Sequence, residues 1–113
     1  MKLPNGDRAE ISMQKLVGYC LNPKHSSGKH KARVFASVLG ITAANAEELR
    51  ALIQIAAIEG EVFQQNVTEF GQQYKVDWLL PDRDRVTLRT IWEITSNNLS
   101  PRLISAFLKL PTD

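Results

Sequence analysis

The segment Tyr74-Lys75-Val76-Asp77-Trp78-Leu79-Leu80 decides the fold of this chain. Every second residue, from Tyr74 to Leu80, is apolar or aromatic, and this period of two is typical of a strand with one buried face. After a polar turn that begins at Pro81, the pattern repeats. One face of the second strand then carries Val86, Leu88, Thr90, Trp92 and Ile94, and the other carries Thr87, Arg89, Ile91 and Glu93. The two segments therefore predict a pair of antiparallel strands.

Further strands flank this pair. A weaker extended segment with Val62, Val67 and Phe70 precedes it. A turn at Ser96-Asn97-Asn98 follows it, and a last strand runs from about Leu103 to Leu110. The C-terminal half thus predicts an antiparallel sheet of three to four strands.

Before residue 61 the apolar period is helical. A first helix is predicted from about Met13 to Leu21, where Asn22-Pro23 stops it. A second runs from about Lys29 to Gly40, and a third carries the apolar stripe Leu49, Leu52, Ile53, Ala56 and Ala57. The order of elements predicts an α+β fold, with about three N-terminal helices followed by the sheet.

Length and composition limit the classes of protein. With 113 residues, of which 43% are hydrophobic, the chain is expected to form a single domain over 1–113. The only cysteine, Cys20, lies in an apolar run and is predicted to be a core residue, which excludes an internal disulfide and a cysteine-based zinc cluster. No apolar run approaches the ~20 residues of a membrane span, and the start has no apolar signal segment, so a cytoplasmic location is expected.

The small net charge of +2 hides a strong segregation. Residues 1–33 hold seven Lys and Arg against two acids, a net charge of +5, and residues 34–70 hold one Arg against five Glu, a net charge of −4. A basic region beside an acidic one favours an anionic partner, either a phosphate or an acidic protein.

The most basic stretch, residues 23–33, reads Pro-Lys-His-Ser-Ser-Gly-Lys-His-Lys-Ala-Arg and contains both histidines. In cleavage of a phosphodiester, His25 and His30 would transfer protons and Lys31 would stabilise the charged phosphorane. Lys29 and Arg33 would bind the substrate. Ser27 would cap the second helix, whose first amides would then form an anion site. The alternative is a solvated basic loop. Two histidines without a nearby Cys or carboxylate make a poor metal site, so no metal or cofactor is predicted.

Three polar residues of the sheet complete the candidate site. Arg89 would clamp a phosphate and take part in catalysis, and Glu93 on the same face is a candidate base. Arg102, held behind Pro101, would bind the substrate at the rim of the sheet. The alternative for Arg89 is a cross-strand ion pair with Asp77, and the alternative for Arg102 is a charged residue of a turn with no functional role.

The chain resembles a family of small bacterial domains of unknown function, labelled DUF6883. The residues that carry the resemblance are Lys2-Leu3-Pro4-Asn5, Ala9, Ile11, Lys15-Leu16-Val17-Gly18-Tyr19-Cys20-Leu21-Asn22-Pro23, His25-Ser26-Ser27-Gly28-Lys29-His30-Lys31-Ala32-Arg33-Val34-Phe35, Gly40, Ala46-Glu47-Glu48-Leu49, Gly71-Gln72-Gln73-Tyr74-Lys75-Val76-Asp77, Arg89-Thr90-Ile91-Trp92 and Pro101-Arg102-Leu103. These domains occur alone or at the C-termini of proteins that resemble polymorphic toxins. The order of elements is also similar to that of the barnase, EndoU, colicin-nuclease and RelE ribonucleases, an analogy of layout only.

Two functions are therefore expected as alternatives. The first is a toxin-like, metal-independent ribonuclease that cleaves tRNA or mRNA by attack of the 2′-OH, and that a cognate antitoxin or immunity protein neutralises. The second is a non-enzymatic binding module, namely an antitoxin, immunity or adaptor protein with a basic partner-binding face.

Overall fold

Three α-helices precede a four-stranded antiparallel sheet, which confirms the α+β prediction. The computed structural model describes residues 1–83 and 85–111. The helices are α1 (Met13–Lys15), α2 (Lys29–Leu39) and α3 (Ala46–Glu59). The strands are β1 (Glu61–Val67), β2 (Gly71–Leu79), β3 (Thr87–Thr95) and β4 (Arg102–Lys109), and they lie in the sheet in chain order.

The helix predicted from about Met13 to Leu21 is present, but its second part is not an α-helix. After α1 the chain widens into a π-helical turn, Leu16–Cys20, which closes with a hydrogen bond of 2.8 Å from the Leu21 N–H to the Leu16 carbonyl. That bond spans five residues rather than four, a pattern that sequence periodicity does not distinguish from an α-helix. The π turn carries Tyr19, and such turns are frequent at functional sites.

Helix α2 begins at Lys29 and ends before Gly40, as predicted. Gly40 adopts the left-handed conformation, with φ of 68°, that favours glycine after a helix. The cap predicted at Ser27 is wrong, because Gly28 is the N-cap residue and no side chain caps this end. The ring of His25 instead accepts hydrogen bonds from the backbone N–H groups of Ser27 and Gly28.

The helices cover one face of the sheet. On β3 the residues Leu88, Thr90 and Trp92 are fully buried there, as the alternation predicted. The Trp92 indole N–H donates to the Thr90 hydroxyl at 2.7 Å, so the buried polar pair is satisfied. The face on the other side is partly exposed and carries Thr87, Arg89, Ile91 and Glu93 of β3. It is called the open sheet face below.

The outer edge of β4 is covered by the N-terminal segments. The Glu10 N–H donates to the Pro101 carbonyl, and the Glu10 carbonyl accepts from the Leu103 N–H. The Lys15 ammonium donates to the Ile104 carbonyl at 3.3 Å. The π turn and α2 also pack against β4. Residues of these two elements can therefore reach around the β4 edge to the open sheet face.

Two further expectations concern Cys20 and the membrane. Cys20 is fully buried, as predicted, and burial raises the pKa of its thiol, which keeps it protonated. In the described part of the chain no helix has both the length and the apolar character needed to cross a membrane.

Candidate active site on the open sheet face

Arg89 lies on the open sheet face in an ion pair with Asp77, its cross-strand neighbour on β2. Its Nε and NH2 atoms donate to the two carboxylate oxygens at 2.8 and 2.9 Å, and the hydrogen bonds to Asp77 raise the pKa of Arg89. The guanidinium also stacks on the Phe63 ring, with Cζ 4.3 Å from the ring centre. Arg89 is therefore fixed in position, and its charge is balanced by a carboxylate.

Phe107 connects Arg89 to the basic helix α2. It is the cross-strand partner of Arg89 on β4, and the Lys31 ammonium lies 4.7 Å from the centre of its ring. No carboxylate among the described residues lies within salt-bridge distance of Lys31. Lys31 thus brings an uncompensated positive charge next to the open sheet face.

The Tyr19 hydroxyl accepts a hydrogen bond of 3.1 Å from the Lys31 ammonium. The Ser105 hydroxyl beside it and the Lys31 ammonium lower the pKa of Tyr19, because both favour the phenolate. Burial opposes this shift only in part, since the side chain is partly exposed. Tyr19 is therefore a phenol that is easier to ionise than an ordinary tyrosine and that solvent can reach.

Ser105 forms the floor beneath this phenol. It is 5% exposed, and its Oγ has no hydrogen-bond partner within residues 1–83 and 85–111. Its contact with Tyr19 lacks the geometry of a full hydrogen bond. A buried hydroxyl without a partner is uncommon in folded proteins, and here it lies where a bound polar group could satisfy it.

His25 borders Tyr19 on the loop side. The two rings make an edge-to-face contact, with centres 4.8 Å apart and planes at 78°. The Nδ1 atom of His25 accepts from Ser27 N and Gly28 N at 3.0 and 3.1 Å. In the neutral imidazole Nε2 therefore carries the hydrogen, and the ring offers a donor rather than an acceptor. Together, His25, Tyr19, Lys31, Ser105 and Phe107 are called the Tyr19 cluster.

The remaining predicted residues are arranged differently. Arg102 faces Glu93 in the sheet, and its NH2 atom donates to the Glu93 carboxylate at 2.8 Å. Because Glu93 follows Arg89 by four residues on β3, this second ion pair lies about 13 Å from Arg89 along the strand. The structure brings Arg102 to the same face but to a different end of it.

On α2, helical geometry separates the basic residues. At about 100° per residue, Lys29 and Arg33 lie about 160° and 200° around the helix from Lys31, and His30 lies about 100° away. Arg33 instead lines a groove with Leu21 and Pro23, and His30 is exposed. Of this run, only Lys31 contacts the open sheet face.

Three residues of the Tyr19 cluster were not indicated by the sequence, namely Tyr19, Ser105 and Phe107. Tyr19 lies in an apolar run, where an aromatic residue is normally core, and Tyr19 and Lys31 are twelve residues apart.

Neither a metal site nor a deep pocket defines this region. Among the described residues, no three His, Cys, Asp or Glu side chains come together as metal ligands. A groove of about 460 Å³ lies between α3 and the end of β2, where Leu52 and Leu80 line it, and no member of the Tyr19 cluster contributes to it. The cluster is a surface site at the junction of the π turn, α2 and β4.

The comparisons with known proteins identify one family. A family model described as a domain of unknown function, DUF6883, matches residues 2–110, which is nearly the whole chain. No curated protein and no solved structure matches the chain.

Proposed function

The chain belongs to the DUF6883 family, and from that premise we propose that it is a metal-independent ribonuclease whose active site is the Tyr19 cluster. The observation that carries the proposal is the position of Lys31. Its ammonium contacts the Tyr19 hydroxyl and the Phe107 ring, next to Arg89, without a carboxylate partner in the described residues. An uncompensated cation beside an ionisable phenol suits a reaction on a phosphodiester.

The reaction is attack of the ribose 2′-OH on the adjacent phosphorus. Lys31 would stabilise the charge that develops on the phosphorane oxygens, and the Nε2–H of His25 would donate to the same group. The side chain of Arg89 would hold a neighbouring phosphate. The product strand would end in a 2′,3′-cyclic phosphate, and the other fragment would begin with a 5′-OH. The substrates are tRNA or mRNA.

Purified protein incubated with total RNA in EDTA tests the proposal. The wild type should cut RNA, and Lys31→Met, His25→Ala and Arg89→Ala should cut it less. Arg8→Ala, an exposed arginine on a different element, is the charge-matched control and should behave as the wild type. An oligonucleotide with 2′-deoxyribose at the cleaved position should stay intact. Intact RNA with the wild type, or equal cutting by all variants, contradicts the proposal.

A second candidate function is a non-enzymatic binding module. The observation that favours it is that both arginines of the open sheet face are already paired, Arg89 with Asp77 and Arg102 with Glu93, so that neither is free to hold a phosphate. In that case the basic residues of α2 would form the face that binds an acidic partner protein. Expression in a bacterial host separates the two functions. A ribonuclease should arrest growth unless a cognate antitoxin or immunity protein is present, and Lys31→Met should relieve the arrest, whereas a binding module should be tolerated.

A further inference from the structure

We infer that Tyr19 is the catalytic residue that removes the proton from the ribose 2′-OH, an inference that rests on the proposed ribonuclease function. Neither histidine has the position for this step. The Nδ1 atom of His25 already accepts two backbone hydrogen bonds, so it is not available to a substrate proton. His30 lies about 100° around α2 from Lys31 and is exposed.

Glu93, the other predicted base, is also unsuited. Its carboxylate accepts a hydrogen bond from Arg102 at 2.8 Å and is 11% exposed. This carboxylate is already paired with Arg102 and lies at the far end of the strand, distant from Lys31. Asp77 is also unsuited, because both of its carboxylate oxygens are held by Arg89. Tyr19 is thus the partly exposed, ionisable group that contacts the unpaired cation Lys31.

Two neighbours of Tyr19 favour its ionised form. Ser105 lies beneath it on β4 and Lys31 approaches from α2, whereas burial opposes ionisation. His25 packs against the ring from the loop. Cys20, its neighbour in the π turn, opposes ionisation, but burial keeps that thiol neutral. A base whose pKa lies nearer to the working pH is a better catalyst, so the lowered pKa of Tyr19 fits the role.

The step needs only water as a further reactant. The Tyr19 phenolate takes the 2′-OH proton, the 2′-oxygen forms a bond to phosphorus, and the bond from phosphorus to the 5′-oxygen breaks. The leaving 5′-oxygen takes a proton from water, and the hydroxide formed removes the proton from Tyr19. Lys31 stays protonated throughout, and stabilises first the phenolate and then the phosphorane.

The chain offers a matched control, because Tyr19 and Tyr74 are its only two tyrosines. Tyr74 is 7% exposed and its hydroxyl bonds to glutamines on the helix-covered side of the sheet. With tyrosine labelled at Cζ with ¹³C, an NMR titration should show a signal from Tyr19 that titrates below the ordinary tyrosine pKa of about 10. That signal should vanish in Tyr19→Phe, and should titrate at higher pH in Lys31→Met.

Cleavage in the same variants completes the test. Tyr19→Phe should lose about 100-fold or more of the cleavage rate, within the range known for general bases, and Tyr74→Phe should keep it. Because Tyr19→Phe also removes the hydrogen bond from Lys31, a second variant is informative. Fluorotyrosine in the Tyr74→Phe background lowers only the pKa of Tyr19, and it should move the acidic limb of the pH–rate profile to lower pH.

The outcomes separate this inference from the proposed function. Cleavage by the wild type that persists in Tyr19→Phe, or a pH–rate profile that fluorotyrosine does not move, overturns the role of Tyr19 and leaves the ribonuclease proposal standing. A wild type that titrates as expected but does not cut RNA overturns the ribonuclease proposal, and with it the role of Tyr19 in that reaction.

Discussion

The Lys31 ammonium donates a hydrogen bond of 3.1 Å to the Tyr19 hydroxyl, although the two residues lie on different elements. Tyr19 is presented by the π-helical turn and Lys31 by α2, and both elements pack against β4. The pair joins the basic N-terminal region to the open sheet face through Phe107. The proposed ribonuclease activity depends on this junction, and the predictions below test its parts.

Removing the negative charge beside Arg89 should strengthen RNA binding. In Asp77→Asn the guanidinium keeps its stacking on Phe63 but loses its carboxylate partner. We expect tighter binding of a 2′-O-methyl oligonucleotide, measured by fluorescence anisotropy. The slope of the logarithm of the binding constant against the logarithm of the salt concentration should steepen by about one phosphate contact. Since the pair is partly exposed, stability should fall by only about 1 kcal/mol or less. Unchanged affinity and salt slope would indicate that Arg89 does not meet a phosphate.

A methyl group at Gly28 should displace Tyr19. A Cβ atom there would lie 2.5 Å from the Tyr19 carbonyl oxygen and 3.2 Å from its ring. We expect Gly28→Ala to destabilise the protein by about 1–3 kcal/mol, as overpacking does, and to reduce cleavage. Gly40→Ala is a useful comparison, because it strains the left-handed residue at φ 68° but finds nothing within 4 Å. Gly40→Ala should lose stability without shifting the Tyr19 NMR signal, whereas Gly28→Ala should shift it. An equal shift of that signal in both variants would argue against the contact between residue 28 and Tyr19.

The pH dependence of stability offers a test of Tyr19 that does not require activity. Because the pKa of Tyr19 is lowered by folding, the unfolded chain holds this proton more tightly. The resulting stabilisation is absent at neutral pH, grows as pH rises through the folded-state pKa, and is complete above the ordinary value of about 10. The difference in free energy of unfolding between wild type and Tyr19→Phe should therefore increase over this window in urea titrations. A difference that is independent of pH would mean that folding leaves the Tyr19 pKa unchanged.

The buried pair of Trp92 and Thr90 should contribute to stability as a unit. Thr90→Val removes the acceptor of the indole N–H and leaves it unpaired in the core, at an expected loss of about 1–3 kcal/mol. In a double-mutant cycle with Trp92→Phe, the loss from Thr90→Val should be smaller when the indole is absent. Strict additivity in urea unfolding would contradict the importance of this hydrogen bond.

Much of the fold follows from periodicity in the sequence. The alternation around Tyr74 and along β3 correctly predicted which side chains are buried, because a half-buried strand leaves a period of two in the sequence. The end of α2 at Gly40 was also predictable, because a glycine in the left-handed conformation commonly follows the last residue of a helix. The π turn was not, because its extra residue per turn is a property of the backbone that the apolar pattern around Leu16 and Cys20 does not reveal.

The candidate site was predictable only in part. The sequence indicated Lys31, His25 and Arg89 by residue type and charge. A helical wheel drawn from Lys31 also indicates that Lys29 and Arg33 lie on the opposite side of α2. The pairing of Asp77 with Arg89 was foreseen as an alternative, since directly opposed charges in neighbouring strands commonly pair. Tyr19 and Ser105 become neighbours only through the packing of the π turn on β4, which no local pattern encodes.

Cleavage of a defined RNA oligonucleotide in EDTA, by the wild type and by the paired variants Tyr19→Phe and Tyr74→Phe, tests the central claim most directly. We predict a 2′,3′-cyclic phosphate product, detected by mass spectrometry, with the wild type and with Tyr74→Phe. With Tyr19→Phe the cleavage rate should fall by about 100-fold or more. Intact RNA with the wild type, or equal rates for the two tyrosine variants, would contradict it.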